Sequence, residues 1–220
     1  LIKEHFDKLA PNRESWIKKS KGFYFEDIKA MQELIPVGSS ILEIGCGNGH
    51  LIGALNPLSG VGIDISSEMI LEAQKKYENL NFIIADIENN NCLKNIDQTF
   101  DFIIISDTIG YLNDIENTFE KLHKVCNADT RIIVAYYSPF WEPILNIAAR
   151  FKFKMPELSK ALLNETDISS LLDSAGYETV KYQKKIIFPF TFLGIGRILN
   201  RFLSCVPILS YLCIRSYVIS

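Results

Sequence analysis

The chain has 220 residues, 48% of them hydrophobic and 22% charged, so it can build a sizeable core and is not a disordered segment. Its 23 basic and 26 acidic residues leave a net charge of −3, which argues against a module built to grip a phosphate backbone and makes DNA an unexpected partner. Uncharged stretches fall well short of the roughly 18 apolar residues a membrane-spanning helix needs. Five cysteines (46, 92, 126, 205 and 213) without a C-x-x-C pair fit neither a disulfide framework nor a zinc site, so no metal is expected. Scattered reduced thiols and the charged opening Leu1-Ile2-Lys3-Glu4-His5 lead to a cytoplasmic expectation, and the missing initiator Met to that of a module trimmed from a longer chain.

In chain order, Phe25 to Leu34 reads as an amphipathic helix ended by Ile35-Pro36. Ile41-Leu42-Glu43-Ile44 is a short apolar strand, followed by the glycine cluster Gly45-Cys46-Gly47-Asn48-Gly49 and a helical run to Leu55. Val61-Gly62-Ile63 is a second strand, after which Ser66-Ser67 caps a helix over Glu68 to Tyr77. Phe82-Ile83-Ile84-Ala85 and Phe102-Ile103-Ile104-Ile105 are the third and fourth strands. A helix from about Asp114 to Cys126 precedes a fifth strand, Ile132-Ile133-Val134-Ala135. Trp141 to Phe151 and Ile168 to Ala175 read as helices, the second capped by Thr166 or Asp167. Tyr177 to Ile187 and Tyr211 to Ile219 read as two further strands. Short apolar strands alternating with helices imply a parallel sheet buried on both faces, in a doubly wound α/β fold. Nothing resembling a linker divides the chain. One domain over 1–220 is expected, with an N-terminal helical lid (1–38), a half ending at 137 and a half (138–220) carrying insertions.

Glu43, Asp64, Asp86 and Asp107 lie at or just past the ends of strands one to four, at intervals of 21, 22 and 21 residues. In an open parallel sheet these ends share one edge, where ligands bind. Any one acid could merely favour a helix N-terminus, but four in register point to a ligand site that favours a cation carrying a ribose over a pyrophosphate. The glycine loop agrees. The dinucleotide fingerprint G-x-G-x-x-G is broken by His50, leaving G-x-G-x-G, while the helix start can take a carboxylate. A ligand with a carboxylate, a ribose and a positive centre is S-adenosylmethionine.

Glu43-Ile44-Gly45-Cys46-Gly47-Asn48-Gly49 resembles the E/D-x-G-x-G-x-G signature of class I S-adenosylmethionine-dependent methyltransferases. Gly60-Val61-Gly62-Ile63-Asp64-Ile65-Ser66, Phe82-Ile83-Ile84-Ala85-Asp86-Ile87 and Phe100-Asp101-Phe102-Ile103 resemble that family's next three motifs, in order. The resemblance implies a seven-stranded sheet with only the last strand antiparallel and an apolar insertion before it. It also implies a cofactor site: Gly45, Cys46 and Gly47 around the methionine part, Asp64 on the ribose and Ile65 against the adenine, with Glu43, Gly49 and Met69 also in the cofactor site. Asp86 would meet the adenine amino group, Ile87 its ring edge, and Ser106 would lie near the sulfur. Relatives joined to sugar-transferring domains suggest a glycan- or lipid-linked acceptor.

Methyl transfer needs alignment more than acid–base chemistry. Asp107 and Tyr111 are the candidate general bases, each with a structural alternative as capping Asp and core Tyr. His50 and His123 read as structural. Tyr24, Tyr137 and Trp141 are candidate acceptor contacts, by stacking or by offering π-faces to the sulfonium. The fourth-strand segment Ser106-Asp107-Thr108-Ile109 lacks the N/D-P-P-Y/F of amino-methylating nucleic-acid enzymes, and no Pro-Cys nucleophile occurs.

The last 35 residues carry Arg197, Arg201 and Arg215 and no acid. Residues 186–210 could form an interfacial surface that approaches a membrane or a lipid-linked substrate, or an insertion that packs over the sheet or into a homodimer. The expected activity is methyl transfer, at oxygen, to a small-molecule or glycan- or lipid-linked acceptor. Two alternatives stand beside it: a cofactor-binding module without turnover, regulatory or fused to a partner domain, and a nicotinamide-dependent oxidoreductase, disfavoured by His50 and the acid-lined edge.

Overall fold

A computed structural model describes residues 1–186 and 212–220. Seven strands, β1 Ser40–Ile44, β2 Ser59–Asp64, β3 Asn81–Ile84, β4 Phe102–Ser106, β5 Arg131–Tyr137, β6 Lys181–Lys185 and β7 Arg215–Ile219, form one sheet in the order β3-β2-β1-β4-β5-β7-β6. β1 to β5 pair in parallel, and β7 runs antiparallel to both of its neighbours. The strand order reverses between β1 and β4, so ligands are expected at the carboxyl ends of these two strands.

Alternation along each strand builds a core on either face. Leu42 and Ile44 join Val61, Ile63, Ile103 and Ile105 on one side, under Phe119, Leu122, Ile168 and Leu172. These come from α6 (Ile115–Leu122) and α8 (Glu165–Ser174). Ile41, Ile104 and Ile133 face the other side, against Met31, Ile52 and Ile70. These come from α3 (Lys21–Leu34), α4 (His50–Leu55) and α5 (Ser67–Lys76). Each such side chain, fully buried, stabilises the fold by about 1.5–3 kcal/mol. β3 is an edge strand, which leaves Ile84 exposed despite its apolar neighbours.

Several boundaries differ from the sequence expectation. The N-terminus holds three helices rather than one: α1 (Ile2–Leu9), α2 (Arg13–Lys19) and α3, which starts at Lys21. α6 is capped by Asp114, whose Oδ1 accepts the Asn117 N–H at 3.1 Å, and it tightens into a 3₁₀ turn at His123. α7 (Glu142–Arg150) follows a 3₁₀ turn that contains Trp141. Asn164, not Thr166 or Asp167, caps α8. Its Oδ1 accepts from the N–H groups of both, and Asp167 reaches back to the Asn164 N–H in a capping box. β6 is shorter than the expected run from Tyr177. That ring stacks on His123 at 4.4 Å and its hydroxyl donates to the Phe119 carbonyl, so it serves the core beneath α6. The expected interfacial surface over 186–210, with Arg197 and Arg201, lies outside the described residues except for Ile186. Among the described residues no helix is long and apolar enough to cross a membrane.

Candidate functional site

The carboxyl ends of β1, β2 and β4 open into a cavity of about 1170 Å³. Gly45 makes the turn out of β1 at φ +73°, and a Cβ there would stand 1.8 Å from Thr108 Oγ1, so only glycine lets β1 pass the end of β4. Gly47, at φ +52°, donates its N–H to Asp64 Oδ2 at 2.7 Å, while Asp64 Oδ1 accepts from Ser66 N–H at 2.8 Å. The carboxylate thereby locks the glycine loop to the start of α5, and each oxygen keeps a lone pair for a ligand. Burial raises the Asp64 carboxyl above its ordinary pKa, against the pull of the two backbone donors.

The four strand-end acids do line one cavity, but they do not present four negative charges. Glu43 lies beneath the loop, where burial pushes its pKa up to about 8 although Oε2 accepts the Ile52 N–H at 3.0 Å. It is therefore mostly protonated at neutral pH. Asp107, at φ +56°, is paired with the guanidinium of Arg215. Asp64 and the exposed Asp86 also line the cavity, with no salt bridge to either among the described residues, although the charge of Arg13 acts on Asp64.

The other residues read from the sequence divide. Cys46, Ile65, Met69 and Ile87 line the cavity beside the acids, and Ser106, Tyr111, Tyr24 and Tyr137 line it farther along. Gly49 and Trp141 do not line it. Gly49 is the left-handed N-cap of α4, packed so that a Cβ would meet the Phe82 ring at 2.8 Å. Trp141 donates Nε1–H to the Leu212 carbonyl at 3.0 Å and packs beside Phe23, Ile186 and Ile214.

Seven residues without a site role in the sequence reading, together with Met155, shape the far end. Arg215 is fully buried and donates to Asp27 Oδ1 at 2.9 Å and to Ser106 Oγ at 2.7 Å, besides pairing with Asp107. Burial opposes its charge, but Asp107 and Asp27 outweigh that and hold the guanidinium firmly protonated. Tyr217 completes the cluster by donating to Asp27 Oδ1 at 2.6 Å. Glu157 is shared by Lys154 and Lys160, and these two ammonium groups hold its carboxyl well below the usual range despite burial. Arg13 donates to the Tyr24 hydroxyl at 2.9 Å and to Met155 Sδ at 3.5 Å. A lone arginine in an otherwise apolar strand was the one sequence signal for this cluster.

The N-terminal helices close over the cavity and are tied down along its length. Asp7 accepts from Ser66 Oγ–H at 2.7 Å, Glu14 from the Asn48 amide at 3.0 Å, and Asp27 from Arg215. Both ring nitrogens of His50 and the hydroxyl of Tyr111 are buried beside the cavity without a hydrogen-bond partner among the described residues. Burial lowers the His50 pKa to about 4, so its ring is neutral at pH 7, and it raises that of Tyr111.

A methyltransferase-domain family model matches residues 35–184, which takes in the glycine loop, all four strand-end acids, β1 to β5 and most of β6. The chain belongs to the class I S-adenosylmethionine-dependent methyltransferase family. An uncharacterized protein of Methanocaldococcus jannaschii is 31% identical over 129 residues, 59% of each chain. A malonyl-[acyl-carrier protein] O-methyltransferase of Priestia megaterium is 30% identical over 131 residues, 56% of this chain and 46% of that protein. This methyltransferase domain thus spans about half the length of these two curated relatives. A solved S-adenosylmethionine-dependent methyltransferase from Thermotoga maritima shares the fold at 18% identity, with a TM-score of 0.70 over 100% of this chain and 98% of its own.

Proposed function

We propose that the chain binds S-adenosylmethionine in this cavity and transfers its methyl group, at oxygen, to a small-molecule or glycan- or lipid-linked acceptor. The observation that carries this reading is the Gly45–Gly47 loop locked to Asp64 at the mouth of the cavity. The fit to the cofactor is chemical. Asp64 has lone pairs left to accept from ribose hydroxyls, and a Cβ on Gly47 would meet only the Met69 sulfur, at 4.0 Å, so the loop leaves open space there. Ile65, Met69 and Ile87 offer apolar surface to the adenine, with Asp86 within the same wall for its amino group. The Gly45–Gly47 backbone borders the methionine part.

When bound, S-adenosylmethionine supplies a sulfonium-activated methyl group, which passes to an acceptor lone pair while the carbon–sulfur bonding pair returns to sulfur. The protein's share is alignment, worth roughly 7–11 kcal/mol of the barrier where the reacting atoms are held in line. Tyr111 keeps its proton, because burial raises its pKa, and so serves as a donor. Asp107 is held by Arg215. Neither is a free strong base, which favours an oxygen acceptor that arrives ionised or ionises readily. The cavity, at about 1170 Å³, lies just above the roughly 300–1,000 Å³ typical of a single-ligand pocket and has room for a small acceptor beside the cofactor.

Incubation with methyl-labelled S-adenosylmethionine and extract, followed by identification of the labelled product, tests the reading. A labelled ether or ester is expected. Cofactor binding with no labelled product from any extract would instead favour a binding module, and binding of NAD in its place would sink both.

A further inference from the structure

The far end of the cavity differs in charge from the end assigned to the cofactor. Tyr137 forms its floor, stacked on Phe23 with ring centres 5.4 Å apart. Three cations converge on the Tyr137 ring: Lys154 at 4.8 Å, Arg215 at 5.2 Å and Lys160 at 5.3 Å from its centre. Arg13 is the fourth cation at this end, bonded only to the neutral Tyr24 hydroxyl and Met155 sulfur among the described residues. Against these four stand four carboxylates, Asp27, Asp107, Glu157 and, beside Lys160, Glu142. Asp27 and Asp107 are held by Arg215, and Glu157 lies between Lys154 and Lys160.

The lysine pair is itself informative. The side chains of Lys154 and Lys160 are only 16% and 11% exposed, so each ammonium has lost most of its water. Lys154 and Lys160 share the single carboxylate of Glu157; Lys154 lines the cavity with Glu157, while Lys160 lies over the rings of Tyr111 and Tyr137. Arg13 lines the same cavity, and the buried Tyr111 hydroxyl there is an unused donor. Arg13, which has no carboxylate hydrogen-bonded to it among the described residues, Lys154, which shares the Glu157 carboxylate with Lys160, and the Tyr111 O–H surround an aromatic floor and make a site for an anion attached to a flat or apolar body.

The geometry points to an acceptor that carries a carboxylate or phosphate, seated between Arg13 and Lys154, with its apolar part against Tyr137 and against Phe6 of α1, which lines the cavity and packs edge-on to the Tyr111 ring at 5.6 Å. This rests on the methyltransferase reading and adds the class of substrate to it. The anion fixes the acceptor's orientation, so the oxygen to be methylated can be held in line without a base.

Calorimetry tests it in two stages. Binding of S-adenosylhomocysteine to the wild-type chain is measured first, and its absence would defeat the methyltransferase reading itself. The loaded protein is then titrated with benzoate, phenyl phosphate, benzamide and benzylamine. One of the two anions should bind about tenfold or more tightly than neutral benzamide, and which one tells carboxylate from phosphate. Lys154→Gln should erase most of that preference with S-adenosylhomocysteine affinity unchanged, and Arg13→Gln should weaken the anion more than S-adenosylhomocysteine. Equal binding of benzamide or benzylamine, binding of none of the four at about 10 mM, or variants that weaken S-adenosylhomocysteine instead of the anion would overturn the inference.

Discussion

The two ends of the cavity differ in charge, one lined by acids and the other by cations interleaved with acids, and they are built by different parts of the chain. The end nearest β1 to β3 is lined by Glu43, Asp64, Asp86 and Glu88, all within 46 residues of one another in sequence. The far end takes Arg13 and Asp27 from the N-terminal helices, Lys154, Glu157 and Lys160 from the excursion after β5, and Arg215 from the last strand. Local βα repeats therefore deliver the acids that suit a positively charged cofactor, whereas only tertiary folding assembles the cations. Each end also has its own way of limiting bare charge. Glu43 is neutralised by burial, and Asp27 and Asp107 by one shared guanidinium.

The largest effect is expected from Asp64→Ala, which removes the acceptor for both the Gly47 and Ser66 N–H groups and the proposed ribose contact. S-adenosylhomocysteine affinity by calorimetry should fall on the order of 100-fold or more. The exposed Asp86 replaced by Ala should cost less than about tenfold. Equal losses at the two positions would break the picture of a cofactor end anchored at Asp64.

At the other end, Arg215→Met leaves Asp27 and Asp107 as uncompensated acids. Urea unfolding should report a loss of about 3–5 kcal/mol, partly recovered when Asp27→Asn and Asp107→Asn are added. No recovery would mean that the arginine acts by packing rather than by charge.

The pH dependence of stability sharpens the comparison from the acidic end. The folded pKa of Glu43 is raised from 4.5 to about 8, so its contribution is complete below the unfolded value and is lost as pH rises to about 8. His50 has the opposite sign. Its pKa is lowered from 6.5 to about 4, so its contribution is present above 6.5 and is lost as pH falls towards 4. Between about 6.5 and 8 the Glu43 term falls by up to about 1.4 kcal/mol per pH unit, without the opposing His50 term. Unfolding at several pH values should show that slope in the wild type and its removal in Glu43→Gln. A slope unchanged by Glu43→Gln would contradict the buried, protonated carboxyl. The smallest effect is expected from Trp141→Phe, which lies outside the cavity and should change S-adenosylhomocysteine affinity by no more than about twofold.

What could be read from the sequence follows the same division. The sheet, the glycine turn and the strand-end acids rest on patterns that repeat every 21 or 22 residues, and a one-dimensional pattern carries them. The pairing of Asp27 with Arg215 spans 188 residues and leaves no periodic trace. Asp27 reads as an ordinary polar position of an amphipathic helix, and Arg215 as one base in an apolar tail. Charge state was equally hidden. The spacing that puts Glu43 at the same edge as Asp64 does not reveal that Glu43 lies under the loop, with its proton held by burial. Trp141 follows a strand that ends at the correct edge, yet the turn at Pro139 sends its ring towards Leu212 instead of the cavity.

A crystal soaked with S-adenosylhomocysteine would test the central claim most directly. The account predicts difference density with the ribose hydroxyls on Asp64, the adenine between Ile65 and Ile87, and the sulfur turned towards Ser106 and the cationic end. Density for the ligand elsewhere on the molecule, or with its ribose away from Asp64, would contradict it.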